Sequence, residues 1–543
     1  MAMWATDEMR ATCLHAGNGA VAQSLPVSAA QQGVWIAQQL DPANARYNCA
    51  GYLDIDGAID VAILDAAVRQ AVQETQALRV SFSECGNELR QSIRDTPQHV
   101  LTAVDVSGEP HPAACAAAWM QRDLALPADF GGAPLFHQAI FKLAPRRYQF
   151  YLRYHHIVMD GFGQTRYWSR LGQIYTALAA GLAPPPTPFS SLQTLLDEEA
   201  AYRTSNRHAR DQAYWTNAFE QRDEPARLSG VASMASRALM RHTVPVAPQS
   251  IVSLQAAMAR HASRWSVLVL AATAAYLQRV TGNDNVVLGL PLSGRMTPAA
   301  LDTPAMMANE LPLRLSMTSS LTIDDILHQV GSQVRQALTH QRYRGEHLHQ
   351  ALKLPGTAER ISGPSINVIS FDHQVSFGTH ATTAHYLSSG PAADLLIGFY
   401  GASDGANLQI CFDANPDLYT RDELATHQQR FVHFLDTFLL AEPGQELGGL
   451  NLLMPGEHAQ LLAFNATTRD YDLSSSLCQL IDRQAQRSPD AVAVAVAGAS
   501  MRYGELADAA PSCWWKCVRW IGAGSAIQDG LPASVCAACS SAA

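Results

Sequence analysis

Prolines at 184, 185, 186 and 188, in "LAPPPTPFS", cut the chain into two stretches that each mix helical and strand-like patterns. Proline fixes φ and disfavours helix in the residue before it, so no regular element is expected to cross this point. Upstream, "DVAILDAAVRQAVQETQAL" sets Leu64, Val68, Ala71, Thr75 and Leu78 on one helical stripe, with Asp60 as N-cap. "RRYQFYLRYHH" alternates Tyr148, Phe150, Leu152 and Tyr154 with Gln149, Tyr151 and Arg153, a strand pattern. Beyond it, Trp168, Leu171, Tyr175 and Leu178 recur at helical spacing. Downstream of the prolines, "TIDDILHQVGSQVRQAL" opens with a capping box of Thr322 and Asp325. It offers Ile326, Leu327, Val330, Val334 and Leu338 to a core. "SINVISFD" reads as a strand, and "DLLIGFYGASDGANLQICFD" as a hairpin around Asp404-Gly405. A chain of 543 residues exceeds one ordinary core. The pattern predicts an α/β (α+β) fold of two comparable lobes.

Composition narrows the classes. Lys plus Arg is 38 against 48 for Asp plus Glu, a net charge of −10, which argues against nucleic acid as a partner. The first residues lack a basic-then-apolar export signal. The longest apolar stretch, "WSVLVLAATAAYL" at 265 to 277, is too short to span a bilayer and reads as a buried helix. A cytoplasmic protein with no membrane partner is expected. Cys13, Cys49, Cys85, Cys115, Cys411 and Cys478 are scattered singly and read as reduced, mostly buried residues. Cys513, Cys517, Cys536 and Cys539 crowd the last segment. Their spacings, "CWWKC" and "CAAC", do not match as a zinc pair, and no His follows, so no metal is expected.

The chemistry concentrates in "YHHIVMDGFG", where a strand ends on His155 and His156 and the chain turns at Asp160-Gly161. Four specified residues in the form H-H-x-x-x-D-G arise by chance about once in a thousand chains of this length. A neutral imidazole accepts a proton from an attacking nucleophile or holds it in line, and His156 is the candidate. His155 either shares that work or braces the loop. Asp160 could contact His156 directly, as in a triad, or brace the loop through an arginine. Gly161 would allow a tight turn and bring backbone N–H groups near a developing oxyanion.

This arrangement resembles the condensation domains of nonribosomal peptide synthetases, and further motifs agree in order. They are "LPVSAAQQGVW" at 25 to 35, "ETQALRVSF" at 74 to 82 with Arg79 at its basic position, and "RDQAYW" at 210 to 215. "VVLGLPLSGR" at 286 to 295, "MANELPLRL" at 307 to 315 and "HQRYRGE" at 340 to 346 follow; the last has Arg-Gly where the family commonly carries Pro-Phe. The resemblance implies a chloramphenicol-acetyltransferase-like two-lobed pseudo-dimer with a central tunnel and the histidine motif midway. Donor and acceptor carrier proteins, acting in trans, would insert phosphopantetheine arms from opposite faces, with no cofactor tightly bound. The acceptor amine would attack the donor thioester, with His156, His155, Asp160 and Gly161 as the catalytic set. The family's architecture further implies a salt bridge from Asp160 to Arg295, with Arg79 as second candidate. "LPVSAAQQGVW", "HQRYRGE" and "LLMPGEHAQLLAFNAT" are similar to a catecholate-siderophore synthetase. That implies an aryl donor, such as 2,3-dihydroxybenzoyl, and a seryl acceptor.

The expected organisation is a flexible leader over 1–21, an N-terminal lobe over 22–185 and a C-terminal lobe over 186–455. A linker over 456–470 and the start of an adenylation domain over 471–510 follow. "MRYGELADAA" resembles that domain's opening, but its ATP-binding motifs are missing, so adenylation is not expected. Residues 511–543 lose all periodicity, as a shifted reading frame or a genuinely variable terminus would produce. Two other readings stay open. One is an O-acyltransferase of the same fold class, which shares the histidine motif. The other is a catalytically idle carrier-docking remnant of a truncated synthetase. Heterocyclisation variants replace the histidines with aspartate, which this chain does not do.

Overall fold

In a computed structural model of the chain the described residues are 21–509, except 87, 96–100, 133, 222–223, 231–235, 237, 355–360, 371–374, 403, 471–473 and 497–498. The leader before residue 21, the segment from 510 onward, and Cys13, Cys513, Cys517, Cys536 and Cys539 lie outside them. Two compact units divide between Met454 and Pro455.

The first unit holds two six-stranded sheets and a smaller three-stranded one. In spatial order the first large sheet runs Ser376–Phe377, His380–Ser389, Asn48–Asp56, Arg147–His155, Phe136–Ala144 and Thr102–Asp105. Only its last pair is parallel. The second runs Asn309–Ser316, Asn285–Leu292, Ser365–Ser370, Leu395–Gly401, Gln409–Ala414 and Met240–Pro245. Strand Ser365–Ser370 is parallel to both neighbours there, and the other pairs are antiparallel. The architecture is a mixed α/β one.

Strand Arg147–His155 is covered on both faces. Phe150, Leu152 and Tyr154 pack with Leu64, Val68, Trp168 and Leu171 from helices Val61–Glu74 and Gly161–Ala179. On the opposite face Tyr151 is fully buried beside Met120 of helix Pro112–Leu124, and its hydroxyl donates to Asp123 at 3.0 Å. Alternation therefore separates two cores rather than core from solvent. The apolar helix Trp265–Thr281 is buried through nearly its whole length. Helix Ile323–Thr339 has its Thr322–Asp325 capping box and buries Ile326, Leu327 and Val330. Leu338, next to the helix's last residue, is exposed instead.

One contact pins the end of the first lobe, and one strand crosses the expected lobe boundary. Arg170 of the first lobe pairs with Glu74 at 2.6 Å and donates to the Pro185 carbonyl at 2.7 Å, which pins the proline run. Strand His380–Ser389, from the second half of the sequence, joins the first lobe's sheet with Tyr386 opposite Gly51 and Ser389 opposite Cys49. Arg241 ties it back: it pairs with Asp413 at 2.6 Å and donates to the Tyr386 carbonyl and to Ser389 Oγ.

Two smaller expectations change. Helix Pro455–Asn465 occupies much of the segment read as a linker. Cys85 is disulfide-bonded rather than reduced. Cys49 and Cys411 are free and buried, and Cys115 and Cys478 are free and half-buried. In the second unit, helix Leu477–Arg487, the hairpin Val492–Val496 with Ala499–Arg502, and helix Tyr503–Ala509 bury only Ala485 among their described residues. No helix among the described residues is long and apolar enough to cross a membrane.

Replacing Arg241 with Ala leaves Asp413, 1% exposed, buried without its counter-charge. The expected cost is about 3–5 kcal/mol, read as a lower denaturant midpoint at unchanged slope.

Candidate active site

The local sequence places two neighbouring imidazoles in different surroundings. The His155 N–H donates to the Leu135 carbonyl and the His156 N–H to the Tyr47 carbonyl, both at 2.8 Å, which closes the strand. A turn over 156–158 follows, and Asp160 then caps helix Gly161–Ala179 by accepting from the Gly163 N–H at 2.8 Å. His155 points into the first lobe's core, 1% exposed, edge-on to Phe130. Its Nδ1 accepts the Ile157 N–H at 3.2 Å, and Nε2 faces Gln38 Oε1 at 3.3 Å. Burial, then the neighbouring His156 and Arg153 charges, push it down to about 3, so it stays neutral.

His156 lines a cavity of about 470 Å³ with Cys49, Tyr154, Asp160, Gly161 and Gln164 from the first lobe. Ser293, Ala308, Glu310, Glu346 and Ile369 come from the second. A neighbouring cavity of about 680 Å³ shares the lining residues Ile369 and Tyr386 and is walled by Leu53, Val246, Val375 and Leu408. Burial lowers the His156 imidazole, but the hydrogen-bonded Cys49 sulfur and the Asp160 charge outweigh it and lift the group to about 9. Its Nδ1 has no hydrogen-bond partner among the described residues.

Asp160 does not act on His156 through a direct hydrogen bond; it fixes the loop. Its Oδ2 accepts from Arg295 Nη1 at 2.8 Å and from the Met307 and Ala308 N–H groups at 2.9 Å each. Arg295 donates onward to the carbonyls of Ser293, Ala300 and Ala305 and lies over the Phe162 ring at 4.6 Å. Burial raises the Asp160 carboxyl, yet the Arg295 charge and these N–H donors override it and hold the group below the usual carboxylate range. Arg79 lies elsewhere, at the end of a 3-10 turn, and donates to the Arg94 carbonyl.

Four of the six flanking motifs reach this pair or its cavity, and a fifth bonds one of those four. "VVLGLPLSGR" supplies Arg295 and "MANELPLRL" the two N–H donors. In "HQRYRGE", Arg344 donates to the Ala308 carbonyl at 2.8 Å, so the Arg-Gly departure braces the residue whose N–H binds Asp160. Asp211 of "RDQAYW" bonds His340 at 2.7 Å. Val34 of "LPVSAAQQGVW" reaches the cavity wall. Arg79 of "ETQALRVSF" is the one candidate site residue left outside the cluster.

Gly161 is not in a left-handed conformation, and an added Cβ would meet only Ile369 Cδ1, at 4.0 Å. The tight-turn reason for that glycine does not hold. Its lack of a side chain leaves the cavity open instead. Crowding falls on Gly163, where a Cβ would sit 3.2 Å from the Ala305 nitrogen. Sequence reading missed Gly390, Cys49 and Gln164. Gly390 has φ +102°, and a Cβ there would lie 3.0 Å from His156 Cδ2. Its only signal was the "SSGP" turn composition.

These features are those of a condensation domain. The condensation-domain family matches residues 21–462, and the chain belongs to that family of acyltransferase-type domains in nonribosomal peptide synthetases. A crystal structure of the starter condensation domain of rhizomide synthetase, in complex with C8-CoA and Leu-SNAC, superposes with a TM-score of 0.74 at 36% identity, over 79% of this chain and 98% of that one. The first condensation domain of the calcium-dependent antibiotic synthetase gives 0.76 at 33% identity, over 80% and 100%. In sequence, a dimodular nonribosomal peptide synthase of Bacillus subtilis is 37% identical over 88% of this chain. An isonitrile lipopeptide synthase of Streptomyces coeruleorubidus is 38% identical over 80%. The chain spans 20% and 30% of those two proteins' lengths. Enterobactin synthase component F of Escherichia coli O157:H7, to which the siderophore-like phrases point, is less similar: 30% identical over 90% of this chain and 38% of that protein.

Asp160→Asn and Arg295→Ala each strand a buried charge and should cost about 3–5 kcal/mol of stability. Because the Asp160 carboxyl is held low, its stabilisation is complete above about pH 4 and is lost as pH falls through the folded value. Thermal melts from pH 7 downward should therefore fall more steeply in wild type than in Asp160→Asn. Gly390→Ala should cost about 1–3 kcal/mol from its φ alone.

Proposed function

We propose that this domain forms the amide bond that joins an acyl group to the amine of an aminoacyl thioester, at the start of a peptide. The carrying observation is the His156 imidazole on the wall of a cavity closed by residues of both halves of the unit. The amine nitrogen attacks the thioester carbonyl, the carbon–sulfur bond breaks, and pantetheine leaves as thiol. His156 accepts the amine proton or holds the nitrogen in line. Asp160, Arg295 and His155 are positioning residues, and Gly161 leaves room for the substrate. Two carrier proteins deliver both thioesters in trans on phosphopantetheine arms, with no cofactor tightly bound.

The starter reading draws on the rhizomide domain, whose complex holds C8-CoA and Leu-SNAC, and on the lipopeptide synthase. The adjoining cavity offers a donor acyl group both apolar wall, from Leu53, Val246, Val375 and Leu408, and polar wall, from Thr382, Thr383, Asn407 and Gln409. An aryl donor with a seryl acceptor, in siderophore synthesis, is the second reading, favoured by the 30% identity to enterobactin synthase component F. The likeness of "MRYGELADAA" supports reading residues 471–510 as the opening of an adenylation domain.

The test pairs an octanoyl-loaded or 2,3-dihydroxybenzoyl-loaded donor carrier with leucyl- or seryl-loaded acceptor carriers. Wild type should yield the amide, and His156→Ala should lose about 100-fold or more of the rate. Equal yields would remove His156 from the chemistry, and an acyl ester formed from an alcohol acceptor would favour the O-acyltransferase. Since the neutral imidazole is the active form, kcat/KM should rise with pH through about 9. Cys49→Ala should move that midpoint downward, because the Cys49 contact raises it.

A further inference from the structure

The His156 cavity continues in two directions with unlike walls. Past Met306, Asn309 and Arg344 it meets a space of about 90 Å³ whose lining includes Glu198, Glu199, Arg203 and Arg342. Past Ile369 and Tyr386 it meets the cavity of about 680 Å³, and none of the described residues lining that one is ionisable near neutral pH. An amine that arrives as ammonium is costly to bury against an uncharged wall, whereas an acyl group is not. The larger cavity therefore suits the donor.

Ile369 and Tyr386 are the two residues that both of these cavities share, and one ring joins them. Ile369 pairs with Tyr400 between strands Ser365–Ser370 and Leu395–Gly401, and the Tyr400 ring stacks on Tyr386 at 4.7 Å and 20°. The tyrosine end of this band is held from several sides. Arg241 donates to the Tyr386 carbonyl, the Trp168 ring lies 6.2 Å away, and the Tyr400 hydroxyl shares a hydrogen bond with Ser389 Oγ at 2.9 Å. Across the strand pair from Tyr386 stands Gly51, where a Cβ would fall 2.9 Å from the Trp168 ring. The other end is an aliphatic tip. Ile369 is half-buried, and its Cδ1 lies 4.0 Å from where a Gly161 Cβ would stand, so it reaches the histidine loop.

We propose that Ile369 and Tyr386 determine donor specificity by framing the throat between the two cavities; this rests on the amide-forming reading above. The thioester carbonyl stays beside His156, and the acyl substituent passes the throat into the larger cavity. Tyr386 is the fixed side, and Ile369 sets the width. A donor that clears the throat gains the wall beyond it, and one that does not is rejected.

The experiment measures kcat/KM with acetyl-, octanoyl-, 4-phenylbutanoyl- and 2,3-dihydroxybenzoyl-loaded donor carriers and leucyl- or seryl-N-acetylcysteamine as acceptor. Wild type is compared with Ile369→Phe, Ile369→Ala and Tyr386→Phe. Ile369→Phe should lose about tenfold or more with the three larger donors and about twofold or less with acetyl. Ile369→Ala should raise the 4-phenylbutanoyl rate relative to acetyl by about threefold or more. Tyr386→Phe keeps the ring and should keep the wild-type order of donors. The acceptor KM should stay the same in all three. Equal losses for every donor in Ile369→Phe, or no loss, would overturn this inference and leave the amide-forming reading intact. Where that variant does not fold, an unchanged donor order in Ile369→Ala overturns it. A shift in acceptor KM with an unmoved donor order would also overturn it, because the larger cavity would then hold the acceptor. No amide from wild type with any donor would overturn both readings.

Discussion

The Asp160 carboxylate is the point on which the site turns. Three N–H donors and one guanidinium converge on it, from a helix start in one half of the chain and from two segments of the other. A buried ion pair gains little net stability unless its remaining lone pairs and protons are satisfied. Here the Arg295 nitrogens also find three carbonyls and an aromatic face. The pair then supplies position more than energy. It fixes the loop between His156 and the helix against the second half of the unit, so the imidazole and the opposite wall keep one spacing.

A second set of contacts holds the other side. Strand His380–Ser389 carries its chain into the first sheet and then turns at Gly390 against the His156 ring. Arg241 anchors that strand to Asp413, whose own charge is buried. His156 is thus enclosed by two segments that leave the second half of the sequence, cross to the first sheet or its loop, and return. Both crossings are made with arginine, whose fork of donors binds a carboxylate and backbone carbonyls together. A lysine offers no such planar set.

Much of this was legible in order but not in space. Helices at Asp60, Thr322 and Trp265 announced themselves by capping residues and periodicity, because those signals are local. The hairpin at Asp404-Gly405 was equally local. The crossing of His380–Ser389 was not, since a strand's partner is set by tertiary packing and its residues look alike on any sheet. The same limit hid Cys49, which only pairing with Tyr154 turns toward the cavity. It also hid the Met307 and Ala308 donors, which are backbone groups and have no letter in the sequence. Gly161 misled for a related reason: glycine serves open space as readily as a left-handed turn.

The histidine pair shows how one residue of spacing decides chemistry. Successive side chains at the end of a strand point to opposite sides. His155 takes the core side, where burial pushes it down to about 3 and a backbone N–H occupies its Nδ1. His156 takes the cavity side, where a thiol and a carboxylate lift it to about 9. Two groups that titrate alike in water are driven to opposite ends of the range by their surroundings. The motif therefore needs both histidines adjacent at a strand terminus and an aspartate a short turn away. A longer strand would take His156 into the sheet's ladder, and a shorter one would leave His155 outside the core.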